Sequence, residues 1–105
     1  MDAKSLGFID IPAAATRVQI TTDDELYAQN VFFQAVRTNT GYISIGDSTV
    51  VESTGVGELG RLAIPTDNSL DSWGMGNAAF PRGIQLSLIY VDASVSGDDV
   101  LISYW

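Results

Sequence analysis

The catalytic chemistry that this sequence leaves open is that of carboxylates. The chain has 13 Asp and Glu residues and neither His nor Cys, so it lacks the usual general base, the usual thiol nucleophile and the usual ligands for zinc or a transition metal. Paired carboxylates can hydrolyse a glycosidic bond, which keeps a carboxylate-dependent glycosidase as an alternative. Because Asp and Glu are mostly exposed in proteins, and nearly all of these lie in predicted turns or at strand ends, we expect a solvated surface role for them. The sequence therefore predicts a protein that is not an enzyme and binds no cofactor.

Three groups of acidic residues in predicted loops offer the oxygen ligands that calcium prefers. They are Asp23-Asp24-Glu25, Asp67 with Asp71, and Asp98-Asp99. None has the ligand spacing of a calcium-binding loop. We interpret them as surface turns, with an ion held loosely between subunits as the alternative.

Three glycines have the spacing of a dinucleotide-binding fingerprint, namely Gly55, Gly57 and Gly60. In that motif a helix N-terminus follows the glycines and holds the pyrophosphate. Here residues 61–65 have the composition of a strand, which Pro65 ends because it cannot donate a ladder hydrogen bond. We therefore interpret the three glycines as turn residues between two strands.

The candidate partner-binding residues are Trp73, Met75, Phe80 and Trp105. The first three lie in a glycine-rich segment, and aromatic and Met side chains are enriched in the cores of protein interfaces. The alternative is that these three side chains fold inward and close an open end of the domain. Trp105 similarly either anchors the last strand in the core or packs against a neighbouring subunit.

The elements that position these residues are predicted to be β-strands. Short segments rich in Val, Ile, Thr, Phe and Tyr alternate with clusters of Gly, Asn, Asp, Ser and Pro. Helical periodicity is nearly absent, and only residues 22–30, with a capping-box spacing, could form a short helix. The predicted strands are 7–11, 15–21, 31–38, 42–46, 49–52, 58–64, 84–91 and 100–105.

Without helices to connect parallel strands, the strands should pair antiparallel. We predict an all-β fold, an antiparallel β-sandwich or jelly roll of about seven to eight strands. Strand 31–38 should be central, because apolar residues occupy both of its faces, and it should form a hairpin with 42–46. Strands 84–91 and 100–105 should form a terminal hairpin. Segment 67–83 is a long connection, and such a connection is usually functional, disordered or contains a further strand.

Length and charge limit the organisation and the partners. A chain of 105 residues suits one core, so we predict a single domain over 1–105, in which residues 1–10 are an N-terminal arm or the first strand. The net charge of -8 opposes binding to nucleic acid or to an anionic membrane, and no apolar stretch is long enough to cross one. Residues 1–10 lack a secretion-signal pattern, which predicts synthesis in a cytoplasm.

Three segments carry turn and strand motifs in a distinctive order. They are Ala14-Ala15-Thr16-Arg17-Val18, Asn39-Thr40-Gly41-Tyr42-Ile43-Ser44-Ile45-Gly46-Asp47-Ser48 and Ile89-Tyr90-Val91-Asp92-Ala93-Ser94. Together they resemble a recurring group of small tailed-bacteriophage virion proteins. In that group an Asn-Thr-Gly turn, a strand and Gly-Asp-Ser precede a glycine-containing hairpin and a closing Ile-Tyr-Val-Asp-Ala strand pair. The resemblance spans most of the chain.

The resemblance implies a virion structural protein, a β-sandwich on the outer capsid surface or in a tail or head fibre, made in the host cytoplasm. It implies a homo-oligomer, with a trimer favoured, and the major capsid protein as partner. The function implied is that of a capsid decoration (cement) protein that reinforces the assembled shell. The alternative is a tail or head fibre module whose exposed Trp and Tyr side chains stack on host glycans. Because segment 67–83 is longer than the connection typical of the group, the resemblance assigns no interface residues.

Overall fold

The computed structural model of the chain describes residues 3–76 and 83–105. These residues form antiparallel β-sheets, which confirms the predicted all-β class. One turn of 3-10 helix, Leu86–Leu88, precedes β9, and within the described part of the chain no helix is long and apolar enough to span a membrane. The strands are β1 Lys4–Asp10, β2 Val18–Gln19, β3 Tyr27–Ala28, β4 Asn30–Ala35, β5 Ile43–Val51, β6 Val56–Leu62, β7 Ser72–Gly76, β8 Ile84–Gln85, β9 Tyr90–Ala93 and β10 Asp99–Tyr104.

The strands pair in a nested order. Sheet A has the order β1-β10-β4-β7, sheet B has the order β2-β9-β5-β6, and β3 and β8 form a two-stranded ribbon. Each strand of the first half pairs antiparallel with its counterpart in the second half: β1 with β10, β2 with β9, β3 with β8, β4 with β7 and β5 with β6. The additional pairs β10–β4 and β9–β5 complete the two sheets. The chain is therefore one long hairpin wound into two sheets.

The two sheets enclose one hydrophobic core because apolar side chains alternate along their strands. On β4 the inward residues are Val31, Phe33 and Ala35, all buried, while Phe32 between them is exposed, which is the period of two expected for a strand. From sheet B the same core receives Ile43, Ile45, Leu62, Val91 and Ala93. Each fully buried Val, Leu, Ile or Phe contributes about 1.5–3 kcal/mol. Because β4 lies between β10 and β7, its predicted central position is confirmed.

Both predicted hairpins are wrong. The strand before the turn at residues 39–41 belongs to sheet A and the strand after it to sheet B, so this turn carries the chain between sheets. Residues 84–91 are not one strand but β8, the 3-10 turn and the start of β9. Strand β9 pairs with β2 and β5, and β10 pairs with β1 and β4.

Polar side chains explain why the turn at residues 39–41 does not make a hairpin. The Asn39 side chain donates to the Asp99 carbonyl over 2.7 Å and accepts the Asp99 amide over 2.8 Å. The buried Asp98 carboxylate accepts the amides of Thr40 and Gly41. These bonds hold the turn against the connection between β9 and β10, a site about sixty residues away in the chain.

Other predicted elements changed their extent. Residues 22–30 hold a turn and β3 rather than a helix, because the Asp23 side chain accepts the Glu25 amide and bends the chain there. Of the predicted strand 15–21, only β2 is a strand in the structure. The predicted strands 42–46 and 49–52 are parts of one irregular strand, β5. Residues 4–10 form the first strand, and the long connection contains a further strand, β7. Seven of the described strands have four residues or more.

Candidate partner-binding groove

Trp73 and Met75 point into the sandwich from the edge of sheet A. On the neighbouring strand Trp73 lies opposite Phe33 and Met75 opposite Val31, and directly opposed residues of antiparallel strands share a face. The rings of Trp73 and Phe33 are 5.9 Å apart between centroids at an interplanar angle of 44°. Both Trp73 and Met75 are half-buried and pack against the core. Trp73 and Met75 therefore follow the alternative in which these side chains fold inward.

The Trp73 indole lies over Gly60 on the neighbouring edge of sheet B. A Cβ atom at Gly60 would be 2.3 Å from the indole Cε2, so only glycine leaves room for the ring. Gly55 lies in the β5–β6 turn and Gly57 is the second residue of β6, and both adopt positive φ angles, of 76° and 69°. Gly60 is a packing residue within β6. The interpretation as turn residues therefore holds for Gly55 only.

Beside Trp73 and Met75 the surface opens into a groove of about 650 Å³. The mainly apolar side chains along it, among the described residues, include Tyr27, Leu59, Trp73, Met75, Ile84 and Leu88. Three of them form an exposed rim: Leu88 is 63% exposed, Leu59 59% and Tyr27 42%. Bulky apolar side chains exposed around a concavity of this size are typical of a binding site. We call this site the groove.

The β3–β8 ribbon forms one wall of the groove. Tyr27 pairs with Gln85 and Ala28 with Ile84, which directs Ala28 and Ile84 into the core and leaves Tyr27 on the rim. Gly83 at the start of the ribbon has a φ of 93°, and a Cβ there would be 2.7 Å from the Ala28 carbonyl oxygen. Glycine is therefore required for the close approach of the two ribbon strands.

Two polar side chains along the described part of the groove, Asp47 and Gln85, have hydrogen-bond partners. The Asp47 carboxylate accepts the Thr49 hydroxyl over 2.5 Å and the Thr49 amide over 2.8 Å. These two bonds, assisted by the charge of Arg17, hold the pKa of Asp47 below its usual value, so this carboxylate is ionised at neutral pH. The Gln85 amide group donates to the Asp24 carbonyl over 2.9 Å.

The other two predicted binding residues are Phe80 and Trp105. Phe80 falls outside the described residues. Trp105 is 37% exposed and lies with Phe32 in a separate depression of about 180 Å³. Its backbone exchanges hydrogen bonds with Asn30, of 3.1 Å from its amide and 3.0 Å to its carbonyl. The main chain of Trp105 thus anchors the end of β10, while its side chain stays partly exposed in a depression that shares Met75 and Gly76 with the groove.

The expectation that nearly all carboxylates are solvated is wrong at Glu52, Asp92 and Asp98, which are buried. Asp92 accepts the amides of Glu52 and Ala93, and Asp98 holds the turn described above. Glu52 pairs with Arg61. Each of these buried carboxyl groups receives hydrogen bonds, as a buried polar group requires.

Arg61 joins two carboxylates on sheet B. Its guanidinium lies 2.5 Å from Glu52 and 3.2 Å from Glu58, and the Ser44 hydroxyl donates to the same Glu58 carboxylate. Arg61 also lies 4.6 Å from the centre of the Tyr42 ring. Since both carboxylates bind one arginine, we interpret this cluster as a structural ion-pair network.

The three acidic groups considered for calcium have structural contacts. Asp71 accepts the amides of Ala63 and Ser72, Asp23 accepts that of Glu25, and Asp98 holds the 39–41 turn. Within residues 3–76 and 83–105 there is no group of three or more Asp or Glu arranged to hold a metal ion.

Comparison with protein-family models, with curated proteins and with solved structures found no match for this chain. The resemblance to small phage virion proteins therefore rests on the sequence motifs alone.

Proposed function

We propose that this chain is a virion structural protein, a capsid decoration protein that docks on the outside of an assembled shell through the groove. The observation that carries the proposal is the exposed apolar rim of Leu88, Leu59 and Tyr27 around a concavity floored by Trp73 and Met75. The phage motifs support it, as does the wound-hairpin strand order, which resembles that of a jelly roll. Jelly rolls are common in viral capsid proteins and in lectins.

The groove suits the energetics of protein docking. Interfaces obtain most of their binding energy from a few bulky side chains that fill pockets and are fully desolvated. Leu88 and Leu59 are both mostly exposed and stand on opposite walls, on the turn before β9 and on β6. Complete burial of one such side chain contributes about 1.5–3 kcal/mol, so the rim can supply the anchor contacts of an interface.

Reinforcement of a shell then follows from mass action. A subunit that binds only the assembled shell stabilises each site by RT ln(1 + [L]/Kd), which is about 2.7 kcal/mol when the free subunit is at one hundred times Kd. Repetition over many sites multiplies this effect. The net charge of -8 keeps a particle coated with this protein soluble. The proposal includes the major capsid protein as partner and a homo-oligomer, with a trimer favoured, as the bound form.

Recognition of host glycans by a fibre module is the second candidate, because Tyr27 and Trp73 both border the groove and aromatic rings stack on sugars. A sugar site also needs polar groups that are free to bind hydroxyls. Along the described part of the groove the lining is mainly apolar, and its polar side-chain groups are those of Asp47, Gln85, Tyr27 and Trp73. This arrangement favours an apolar protein partner over a glycan.

Co-sedimentation with purified shells of the parent particle, assembled without this protein, tests the proposal. We expect saturable binding and a higher temperature for release of packaged DNA. Leu88→Ser should abolish binding, since it removes an exposed rim side chain without disturbing the core. Val56→Ser is the matched control, because Val56 is exposed on β6 and does not border the groove.

Each outcome separates the alternatives. Binding by wild type and Val56→Ser but not by Leu88→Ser supports the groove as the docking site. Equal binding by all three assigns docking to another face. Absence of shell binding, together with specific signals on a glycan array, would replace the decoration function with glycan recognition.

A further inference from the structure

We infer that the groove binds a basic, apolar segment: a protein strand or loop with a bulky apolar side chain flanked by Lys or Arg. This inference rests on the proposed function in that it specifies the chemistry of the partner at the same groove. It is carried by the distribution of charge around the groove rather than by the groove's size.

Next to the β3–β8 ribbon, which forms one wall of the groove, the turn at residues 23–25 carries three consecutive carboxylates, Asp23, Asp24 and Glu25, all exposed. They immediately precede Leu26 and the rim residue Tyr27. Among the described residues none of the three takes part in an ion pair. Their charges are therefore available to a partner.

Hydrogen bonds fix the acidic turn to the wall of the groove. The Leu26 amide donates to the Asp23 carbonyl over 3.2 Å, and the Leu26 carbonyl accepts the Leu86 amide over 3.0 Å. The Gln85 side chain, which borders the groove, binds the Asp24 carbonyl. The turn that carries the three carboxylates is thus fixed next to the β3–β8 ribbon.

A fourth carboxylate, Asp47, borders the groove and is ionised. Arg17 is the cation whose charge acts on Asp47. Among the described residues, three carboxylates without an ion pair precede Tyr27 and Asp47 borders the groove, so the described surroundings of the groove are negative. The whole molecule adds to this field, with 13 acidic against 5 basic residues.

The apolar floor of the groove determines which side chain of the partner can be buried there. Trp73, Met75 and Ile84 offer a cation no hydrogen-bond acceptor stronger than the Met75 sulfur, so a cation buried against them would lose most of its hydration for ring and sulfur contacts only. The favourable occupant places an apolar side chain against the floor and its cations at the rim. Complementary charge of this kind raises association rates and weakens with salt.

Peptide binding tests the inference with defined probes. We would titrate a synthetic peptide with Leu-Phe between two pairs of Lys, the same peptide with Glu in place of Lys, and the Lys peptide with Ser-Ser in place of Leu-Phe. Trp105→Phe leaves Trp73 as the single tryptophan, so its emission reports the groove. We expect saturable binding of the Lys/Leu-Phe peptide, binding about tenfold or more weaker for the other two, and loss of affinity with added salt.

Amide substitutions locate the charge preference. The triple variant Asp23→Asn, Asp24→Asn and Glu25→Gln should lower the affinity for the Lys/Leu-Phe peptide by about tenfold, while the new amide side chain at position 23 keeps an oxygen that accepts the residue 25 amide. Asp24→Asn alone should lower the affinity by a smaller factor. Asp67→Asn removes one exposed charge that does not border the groove and should leave the affinity unchanged.

The outcomes distinguish this inference from the proposed function. Equal binding of Lys and Glu peptides, or no binding of any peptide, overturns the inference even if shells are still bound. A charge preference without shell binding overturns the decoration function and leaves the inference standing. If Phe80→Ser strengthens binding of every peptide equally, residues 77–82 of the same chain compete for the groove, and the external occupant is overturned.

Discussion

The carboxylates Asp10 and Asp99 face each other across β1 and β10 on the outer side of sheet A. Burial raises the pKa of Asp99 above its usual value, and the hydrogen bond and negative charge of Asp10, with the charge of Asp98, raise it further. The carboxyl groups of Asp10 and Asp99 are in direct contact. They are therefore too close to act as the two catalytic carboxylates of a glycosidase, which lie about 5 Å or more apart.

Substitution of Asp99 should make the protein more stable at neutral pH. The folded state holds the Asp99 proton more tightly than the unfolded state, whose pKa is near the ordinary value of 3.8. The stability that Asp99 contributes is therefore complete below that value and is lost as the pH rises through its raised folded-state pKa. We expect Asp99→Asn to raise Tm at about pH 7 and to give no such gain at about pH 3.

Thermal denaturation followed by circular dichroism across this pH range measures the effect. Asp67→Asn is the control, since Asp67 is exposed in a loop. A lower Tm for Asp99→Asn at neutral pH would show that the ionised carboxylate stabilises β1–β10 pairing, contrary to this expectation. The backbone bonds of Asp99 to Asn39 do not depend on its carboxylate.

At the scale of elements, the packing of Trp73 over Gly60 joins the edge strands β6 and β7 of the two sheets. The contact closes this side of the sandwich and forms part of the groove floor. It depends on two residues that are 13 positions apart in the sequence and belong to different sheets.

Gly60→Ala should force the Trp73 ring out of its position. Small-to-large changes in a packed site cost about 1–3 kcal/mol, so we expect a lower free energy of unfolding and a red-shifted Trp73 emission in the Trp105→Phe background. Gly76→Ala is the matched control on β7, because among the described residues its new Cβ would meet just the end of the Asn30 side chain, at 3.2 Å. Unchanged emission and stability for Gly60→Ala would contradict the packing role of Gly60.

At the scale of the whole molecule, the nested strand order brings together chain segments that are far apart in sequence. The connection between β4 and β5 meets the connection between β9 and β10, where Asp98 accepts the Thr40 and Gly41 amides. One buried carboxylate thus links the middle of the wound hairpin to its end.

Asp98→Ala should destabilise the entire fold rather than one loop. Loss of the acceptor leaves two buried or half-buried amides unpaired, at about 1–3 kcal/mol each. Urea denaturation should show a lower midpoint with a single transition, and Asp98→Asn, which retains an acceptor oxygen, should recover part of the loss. A midpoint unchanged in Asp98→Ala would show that water replaces the carboxylate without cost.

Local residue patterns determined the all-β class, the central position of β4 and the turn at residues 39–41. Alternation of apolar residues requires only neighbouring positions, and Asn, Gly and Pro act on their own backbone, so these features can be predicted from sequence. The same reasoning selected Trp73 and Met75, which the structure places half-buried beside the groove, because two bulky apolar side chains in a glycine-rich segment are unusual.

Only the tertiary structure decided which strands pair and which side chains line the groove. Hairpins between neighbouring strands are the local default, whereas here Asn39 and Asp98 bind across about sixty residues of chain and direct β4 and β5 into different sheets. The same long-range packing places Gly60 beneath Trp73 and sets Tyr27 and Leu88 on one rim. Such contacts form only when the whole wound hairpin folds, because they join residues that are far apart in the sequence. A short window of adjacent residues therefore cannot predict them.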